Sequence, residues 1–546
     1  MLQNVITSTE QSSEWWLDMN LYQIFVRSFA DGNGDGVGDI PGITEHLQYL
    51  ANLGINAIWL TPFYPSPQVD MGYDVSDYCN VDPTFGTLAD FDAMVAKAHG
   101  LGIRVFIDIV PNHTSSQHPW FQAALKAAPG SAERNRYVFA DGRNNGLLAP
   151  NDWPGWTTTE PWTKVDTQWY LHMFSDGQPD LNWRNTEVRE EFKNILRFWM
   201  KRGVDGIRVD APTLLIKPEL TAAELEDSLP DLFPIYAEWR KMLDEEFGPR
   251  CVVGEVFDDA ETGMTNFIDK AKMNQIFCFD YQEAPWQAAE FKDIIASWVE
   301  TTSEHDSSAV WVSSSHDLVR QVTYLGYPDP KSKGSDIGPD DEQPDLELGT
   351  RRTRAMTLMT MWLPGAICTY YGEELGLPDH TTLTTQDLQG REMDRDGCRV
   401  PMPWDSSKSN LGFTSGAKAW LPQPAVYSKL AVNVQEQSKD SMLALYRSLF
   451  QARKEYGLAT GDVVFVETDS DDVIVARNGH ICLAINFGDA AVTMPAGEVI
   501  AKSLPDMDVT KELPANSAVW VYQEEDVEAA DSDDDDDDED DTTDEE

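Results

Sequence analysis

Eight short runs rich in β-branched and aromatic residues recur along the chain, separated by stretches with helical spacing. They are LYQIFV (21–26), NAIWL (56–60), RVFIDIV (104–110), GIRVDA (206–211), CVVGEVF (251–257), IFCFDY (276–281), AVWVSSS (309–315) and AICTYYG (366–372). Strands that alternate with helices build a parallel sheet, and eight repeats are the number that closes a TIM (β/α)8 barrel. The intervening stretches carry apolar residues on one helical face: Leu47, Leu50 and Leu53, then Leu88, Phe91, Val95 and Ala98, then Val188, Phe192, Ile195 and Trp199. Each of these three ends near a glycine, a common helix stop.

Two stretches break the rhythm. About 70 residues, His113 to Trp183, separate the third run from the next helix and are rich in Trp, Pro, Gly and Asn. That exceeds any ordinary βα loop and predicts a subdomain inserted over the barrel mouth. A second irregular stretch, about 374–440, follows the eighth run. After a last helix (441–457) the pattern changes to alternating strands. The expected fold class is therefore α/β: a barrel (14–112 and 184–457) with an inserted subdomain after strand 3 (113–183) and a C-terminal antiparallel β domain (458–523). An N-terminal extension (1–13) and a tail (524–546) flank it. A chain of 546 residues is long enough for such a division.

Charge and cysteine usage narrow the function. The formal net charge is −52; the segment 524–546 holds 17 acidic residues and no basic ones, leaving −35 on the rest. Nucleic acid and anionic membranes would be repelled, and the tail, with almost nothing apolar to bury, is expected to be disordered. Salt-adapted proteins also carry acidic surfaces. No apolar run reaches membrane-spanning length, and the first residues lack the basic and apolar regions of a signal peptide. Cys79, Cys251, Cys278, Cys368, Cys398 and Cys482 form no CxxC pair and sit mostly in apolar segments. Buried free thiols in a cytoplasmic protein, monomer or dimer, are the expectation.

Active sites of such barrels lie at the carboxyl ends of the strands. Strand three ends in DIVPNH, with Asp108, Asn112 and His113; strand four in GIRVDA, with Arg208 and Asp210; strand five in GEVF, with Glu255; strand seven in SSSHD, with His316 and Asp317. Residues i and i+2 share a strand face, so Arg208 and Asp210 project together. Converging carboxylates suit glycosidic cleavage, in which one attacks the anomeric carbon and another protonates the leaving oxygen. Arg208 should depress the pKa of Asp210 and keep it ionised as nucleophile; Glu255, among like charges, should have a raised pKa and act as the acid.

These motifs, in this order, resemble glycoside hydrolase family 13, the α-amylase superfamily, in its oligo-1,6-glucosidase and α-glucosidase branch. QPDLNW (178–183) and RDGCRVPMPW (395–404) are similar to that branch's markers, and the resemblance spans about Trp15 to Tyr522. It implies Asp210 as nucleophile, Glu255 as acid and base, and Asp317 as the carboxylate that holds sugar hydroxyls with His316 and His113. Tyr73 would stack on the glucose, and Asp70 and Arg399 would pair to close the pocket behind its O4. The implied activity is a retaining exo-α-glucosidase acting on short maltose, sucrose-like or isomaltose-type substrates. A glucosyl transferase or isomerase of the trehalose or isomaltulose synthase type shares the same carboxylates. A non-catalytic transporter-subunit relative would have lost them, and QPDLNW argues against a chain-cutting amylase. The sequence departs from the branch at Ala211, where Val or Thr is frequent, which leaves linkage preference open; SHD replaces NHD, and Val400 replaces Thr.

The loop DGNGDGVGD (31–39) sets oxygen donors at alternate positions: Asp31, Asn33, Asp35, the Val37 carbonyl and Asp39. Hard donors at this spacing around a glycine turn suit Ca2+, and the family resembled has a calcium loop of this form. Its place after the first strand makes the expected role structural.

Overall fold

The computed structural model describes residues 14–217, 229–305, 307–328, 337–388 and 395–524; the N-terminal extension and all of the acidic tail except Glu524 lie outside them. Eight parallel strands close into a barrel: β1 (Asn20–Ile24), β2 (Ala57–Leu60), β3 (Arg104–Ile109), β4 (Gly206–Val209), β5 (Cys251–Gly254), β6 (Gln275–Cys278), β7 (Val310–Val312) and β8 (Ala366–Tyr370), in sequence order around the ring. Each arises from one of the eight predicted runs. Where a run carries polar residues at its carboxyl end, as in GIRVDA, CVVGEVF and AVWVSSS, the strand stops before them, and they belong to the mouth.

Strand alternation sorts the side chains. Leu21, Ala57, Trp59, Phe106, Cys251, Val253, Phe277, Val310, Val312, Ala366 and Cys368 form one buried cluster with Trp16, the barrel interior. Their neighbours one residue along, such as Ile58, Val105, Ile107, Ile207 and Val252, belong to the larger core shared with the surrounding helices. Trp15 packs edge-on against Phe106 at 5.8 Å and carries the Arg104 guanidinium over its ring, so aromatic residues plug the barrel floor. The helix Ile40–Leu53 starts seven residues before Leu47, the first residue of the predicted apolar face, because Asp39 caps it, accepting from Gly42 N at 2.7 Å. Gly54 ends it in a left-handed conformation (φ 107°) that favours glycine.

Between β3 and β4 lies the inserted region. It contains the helix Pro119–Lys126, two shorter helical turns (Arg134–Arg136 and Arg143–Gly146), a three-stranded antiparallel sheet (Phe139–Asp141, Gln168–Leu171, Trp162–Val165), and a small core of Ala140, Trp153, Trp162, Leu171 and Met173. A five-stranded antiparallel sheet follows the last helix, in the order Val463–Val466, Val473–Asn478, Ile481–Asn486, Ser517–Tyr522, Glu498–Lys502. It docks on the helix Leu346–Trp362 through reciprocal bonds. Trp520 Nε1 donates to Leu358 O (3.0 Å), Trp362 Nε1 to Ile481 O (2.9 Å), and Asn478 Nδ2 to Trp362 O (2.8 Å). All six cysteines are free, five of them buried. Among the described residues no helix is long and apolar enough to cross a membrane.

Gly206 pairs with Phe106 across β3 and β4, and a Cβ there would lie 2.2 Å from the Phe106 ring. Such overpacking typically costs about 1–3 kcal/mol. Gly206→Val is therefore expected to lower the thermal midpoint; a midpoint equal to wild type would show that the ring can step aside.

Candidate active site

The interior face of the barrel continues past the ends of its strands. Asp210 N donates to Ile109 O (2.9 Å) and Glu255 N to Val209 O (3.1 Å), so each residue extends its ladder by one step. The two-residue repeat then carries Phe106 to Asp108, Arg208 to Asp210 and Val253 to Glu255, all toward the axis. Arg208, 2% exposed, is the centre of this group. Its Nη1 donates to Asp108 Oδ1 (2.9 Å) and Asp210 Oδ1 (2.7 Å), and its Nη2 pairs with Glu255 Oε1. Glu255 Oε2 also accepts from Ala211 N at 2.9 Å. Ala211 can aim that amide because it sits at φ 41°, a left-handed conformation strained for any residue with a Cβ and most strained for a β-branched one.

Electrostatics separate the carboxylates. Burial raises the Asp210 carboxyl to about 6; Arg208 opposes the rise, while Asp317 and Asp70 add to it. This corrects the expectation of a depressed value: the cost of desolvation exceeds the help from one shared guanidinium. Glu255 goes higher still, well above the usual carboxylate range, through burial and then Asp210 and Asp317, with Arg208 opposing. The order expected of nucleophile and acid is thus kept, on a higher scale. Burial alone would raise Asp317, but the positive groups around it reverse that and hold it well below the usual range. Burial pushes the His316 and His113 rings down to about 3 and about 4, so both are neutral near neutral pH.

Asp317 forms the far side of the site. Its Oδ1 accepts from Arg395 Nη1 (2.6 Å) and Arg399 Nη2 (3.1 Å), and its Oδ2 lies 3.1 Å from His316 Nε2. Tyr73 is buried. Its ring stacks on His316 (5.4 Å, 10°), and its hydroxyl donates to Asp108 Oδ2 (3.0 Å) and lies 2.7 Å from His316 Nε2. Asp70 and Arg399 do not pair. Arg399 is fully buried and its Nε donates to His316 O (2.7 Å), which ties it to the Asp317 side. The partner of Asp70 is Arg395, whose Nη2 lies 3.2 Å from Asp70 Oδ1. RDGCR holds both arginines, and spacing alone did not distinguish them. Gln178, from QPDLNW, donates to Asp70 Oδ2 at 3.0 Å.

These groups enclose a cavity of about 180 Å3 lined by Asp70, Tyr73, His113, Trp156, Phe174, Asp210, Glu255, Phe257, His316, Asp317 and Arg395, among others. Drug-sized ligands typically occupy about 300–1,000 Å3, so the space is on the scale of one sugar ring. The bridge from Asp70 through Arg395 to Asp317 closes one side. Trp156 and Phe257, each 56% exposed, stand at the open side; Phe257 ends the GEVF motif and Trp156 lies in the inserted region, and neither was singled out in the sequence.

In the 31–39 loop, Asp31 accepts from Asn33 N, Gly34 N and Gly36 N, and Gly36 turns the chain at φ 96°. Asn33 Nδ2 donates to Asp35 Oδ2 (3.1 Å), and Asp39, the helix cap, accepts from Gly32 N and Asn33 N as well. The donor set is all oxygen on a tight glycine turn. Among the described residues no group of three or more His, Cys, Asp or Glu side chains is gathered to hold a metal.

The family described as alpha amylase, catalytic domain, matches residues 23–461. The chain belongs to the α-amylase family of glycoside hydrolases. A probable alpha-glucosidase of Rhizobium meliloti (strain 1021) is 36% identical over 90% of this chain and 93% of its own. Maltase 1 of Drosophila virilis is 34% identical over 83% and 74%. Among solved structures, the alpha-glucosyl transfer enzyme XgtA superposes with a TM-score of 0.80 at 33% identity, covering 93% of this chain and 99% of that one. The trehalulose synthase MutB also reaches 0.80, at 28% identity over 93% and 100%. With the roles the sequence leads one to expect, an ionised Asp210 and a protonated Glu255 would set opposite pH limits. We expect kcat/KM to rise with pH through about 6 as Asp210 ionises, and to fall at higher pH as Glu255 loses its proton. A profile flat from about pH 4.5 to about pH 7 would contradict the assignment of Asp210.

Proposed function

We propose that this chain is a retaining, exo-acting α-glucosidase that removes terminal α-linked glucose from maltose, sucrose-like or isomaltose-type substrates. The observation that carries the reading is that one guanidinium, Arg208, holds both Asp210 and Glu255. Carboxylates on one fork suit the short separation, about 5–5.5 Å, of a double displacement better than the wider gap that an inverting enzyme leaves for water. Asp210 attacks the anomeric carbon while Glu255 gives its proton to the departing oxygen, which leaves a β-glucosyl-enzyme and a free aglycone. Glu255, now ionised, takes a proton from water; the resulting hydroxide displaces Asp210 and releases α-glucose. Asp317, His316 and His113 hold the ring, Tyr73 stacks on it, and the Asp70–Arg395–Asp317 bridge blocks longer chains behind it.

A second reading, glucosyl transfer or isomerisation of the trehalose or isomaltulose synthase type, draws on the apolar mouth at Trp156 and Phe257, which could hold an acceptor sugar. Product analysis by NMR on maltose, isomaltose and sucrose separates the two. Initial release of α-glucose supports hydrolysis, whereas a rearranged or lengthened glucoside favours transfer. Under either reading Asp210→Asn should lower kcat by about 10^4-fold or more, and near-wild-type turnover in that variant would sink the mechanism.

The reading extends to a structural Ca2+ held by Asp31, Asn33, Asp35, the Val37 carbonyl and Asp39, supported by the all-oxygen donor set. When bound, the cation would cross-link the loop after β1. Its removal by chelator should lower the thermal midpoint of the wild type and leave that of Asp35→Ala unchanged; equal midpoints with and without chelator in the wild type would refute it. The free thiols support a cytoplasmic location, and the acidic balance supports a small neutral sugar, not nucleic acid, as partner.

A further inference from the structure

Behind the sugar pocket lies a buried polar chain that the mechanism above does not use. Lys217, on the segment after β4, is 8% exposed, and Asn112 and Asp180 are fully buried. The Lys217 ammonium makes an ion pair with Asp180 Oδ2 (2.8 Å), donates to Asn112 Oδ1 (2.6 Å), and donates to the Leu214 carbonyl. Its three hydrogens thus have three acceptors. Asn112 spends its amide hydrogens on Asp180 Oδ1 (3.2 Å) and on His113 Nδ1 (3.2 Å). Asp180 belongs to the inserted region and also accepts from Met173 N at 3.1 Å.

Donor and acceptor chemistry fixes every orientation along this chain. An ammonium only donates, so the Asn112 atom facing Lys217 must be the oxygen. The amide nitrogen then faces His113 Nδ1. It too only donates, so Nδ1 must accept. A neutral imidazole has one N–H, which therefore sits on Nε2. On that side His113 Nε2 lies 3.2 Å from the Tyr73 carbonyl, which can only accept. Gln178 Nε2 gives one hydrogen to Asp70 Oδ2 and lies 3.1 Å from the same ring nitrogen, but the Tyr73 carbonyl is the acceptor on this side, whereas Nδ1 faces the Asn112 donor, so the ring proton belongs on Nε2.

We propose that Lys217 and Asn112 are positioning residues that set the His113 tautomer, holding an Nε2–H donor at the pocket. That hydrogen is then shared between the Tyr73 carbonyl and a hydroxyl of the bound sugar; this last point rests on the α-glucosidase reading, while the tautomer itself does not. The same ammonium joins the barrel to the inserted region through Asp180, so the donor is presented only when the two are assembled.

Selective 15N labelling of histidine tests the tautomer without turnover, with the His113 signals among those of nine histidines assigned by their loss in His113→Gln. The wild type should show His113 protonated on Nε2 and bare on Nδ1. Asn112→Asp keeps the shape but removes the N–H that faces the ring, so the proton should move to Nδ1. Lys217→Met frees the amide to turn and should populate both forms. We expect kcat/KM on maltose to fall about tenfold or more in Asn112→Asp, with circular dichroism unchanged and a smaller fall in Lys217→Met. A wild-type ring protonated on Nδ1 overturns the proposal, even if neither variant folds. So does a variant in which the proton moves and kcat/KM stays at the wild-type value. Wild-type protein that does not cleave α-glucosides would defeat the functional reading alone and leave the tautomer result standing.

Discussion

One buried guanidinium faces three buried carboxylates, and that imbalance governs the site. Arg208 touches Asp108, Asp210 and Glu255, and burial lifts all three above the ordinary carboxylate range, Asp108 to about 7. One positive charge cannot neutralise three desolvated negative ones, so at neutral pH protons must be retained in the group. In the double displacement proposed above, this shortage of positive charge would meet the need for a protonated acid beside an ionised nucleophile, with no separate device to raise Glu255. Asp317 is treated differently. Arg395 and Arg399 supply two further guanidiniums, and it stays ionised. The site is therefore divided into a proton-holding half and a charge-holding half by where the arginines fall.

Much of this was legible in the sequence, for a specific reason. Barrel strands have a period of two, and their polar ends must point to the mouth, so RVD, GEV and SHD placed their own side chains once the strands were recognised. What stayed hidden depended on loops. The choice between Arg395 and Arg399 turns on backbone conformation: Arg395 sits at φ 49° and reaches Asp70, whereas Arg399 is drawn inward to the His316 carbonyl. Lys217 lies seven residues past Asp210, on neither a strand nor a helix face that periodicity could read. Its role is set by Asp180 and Asn112, which come from other parts of the chain. The pKa of Asp210 was misjudged because a sequence shows the neighbouring Arg208 but not the depth at which both are buried.

The C-terminal sheet takes no part in the site, yet the barrel depends on it. The helix Leu346–Trp362 leads directly into β8, and the Trp362 indole N–H and the Leu358 carbonyl are both bonded to the C-terminal sheet, to Ile481 O and by Trp520 Nε1. During synthesis these groups leave the ribosome well before their partners do. Any barrel formed before the last sheet emerges leaves this flank without the Trp520 bond that the folded protein makes there. A premature stop before Trp520 would leave Asp210, Glu255 and Asp317 encoded but remove the bond that seals this flank of the helix.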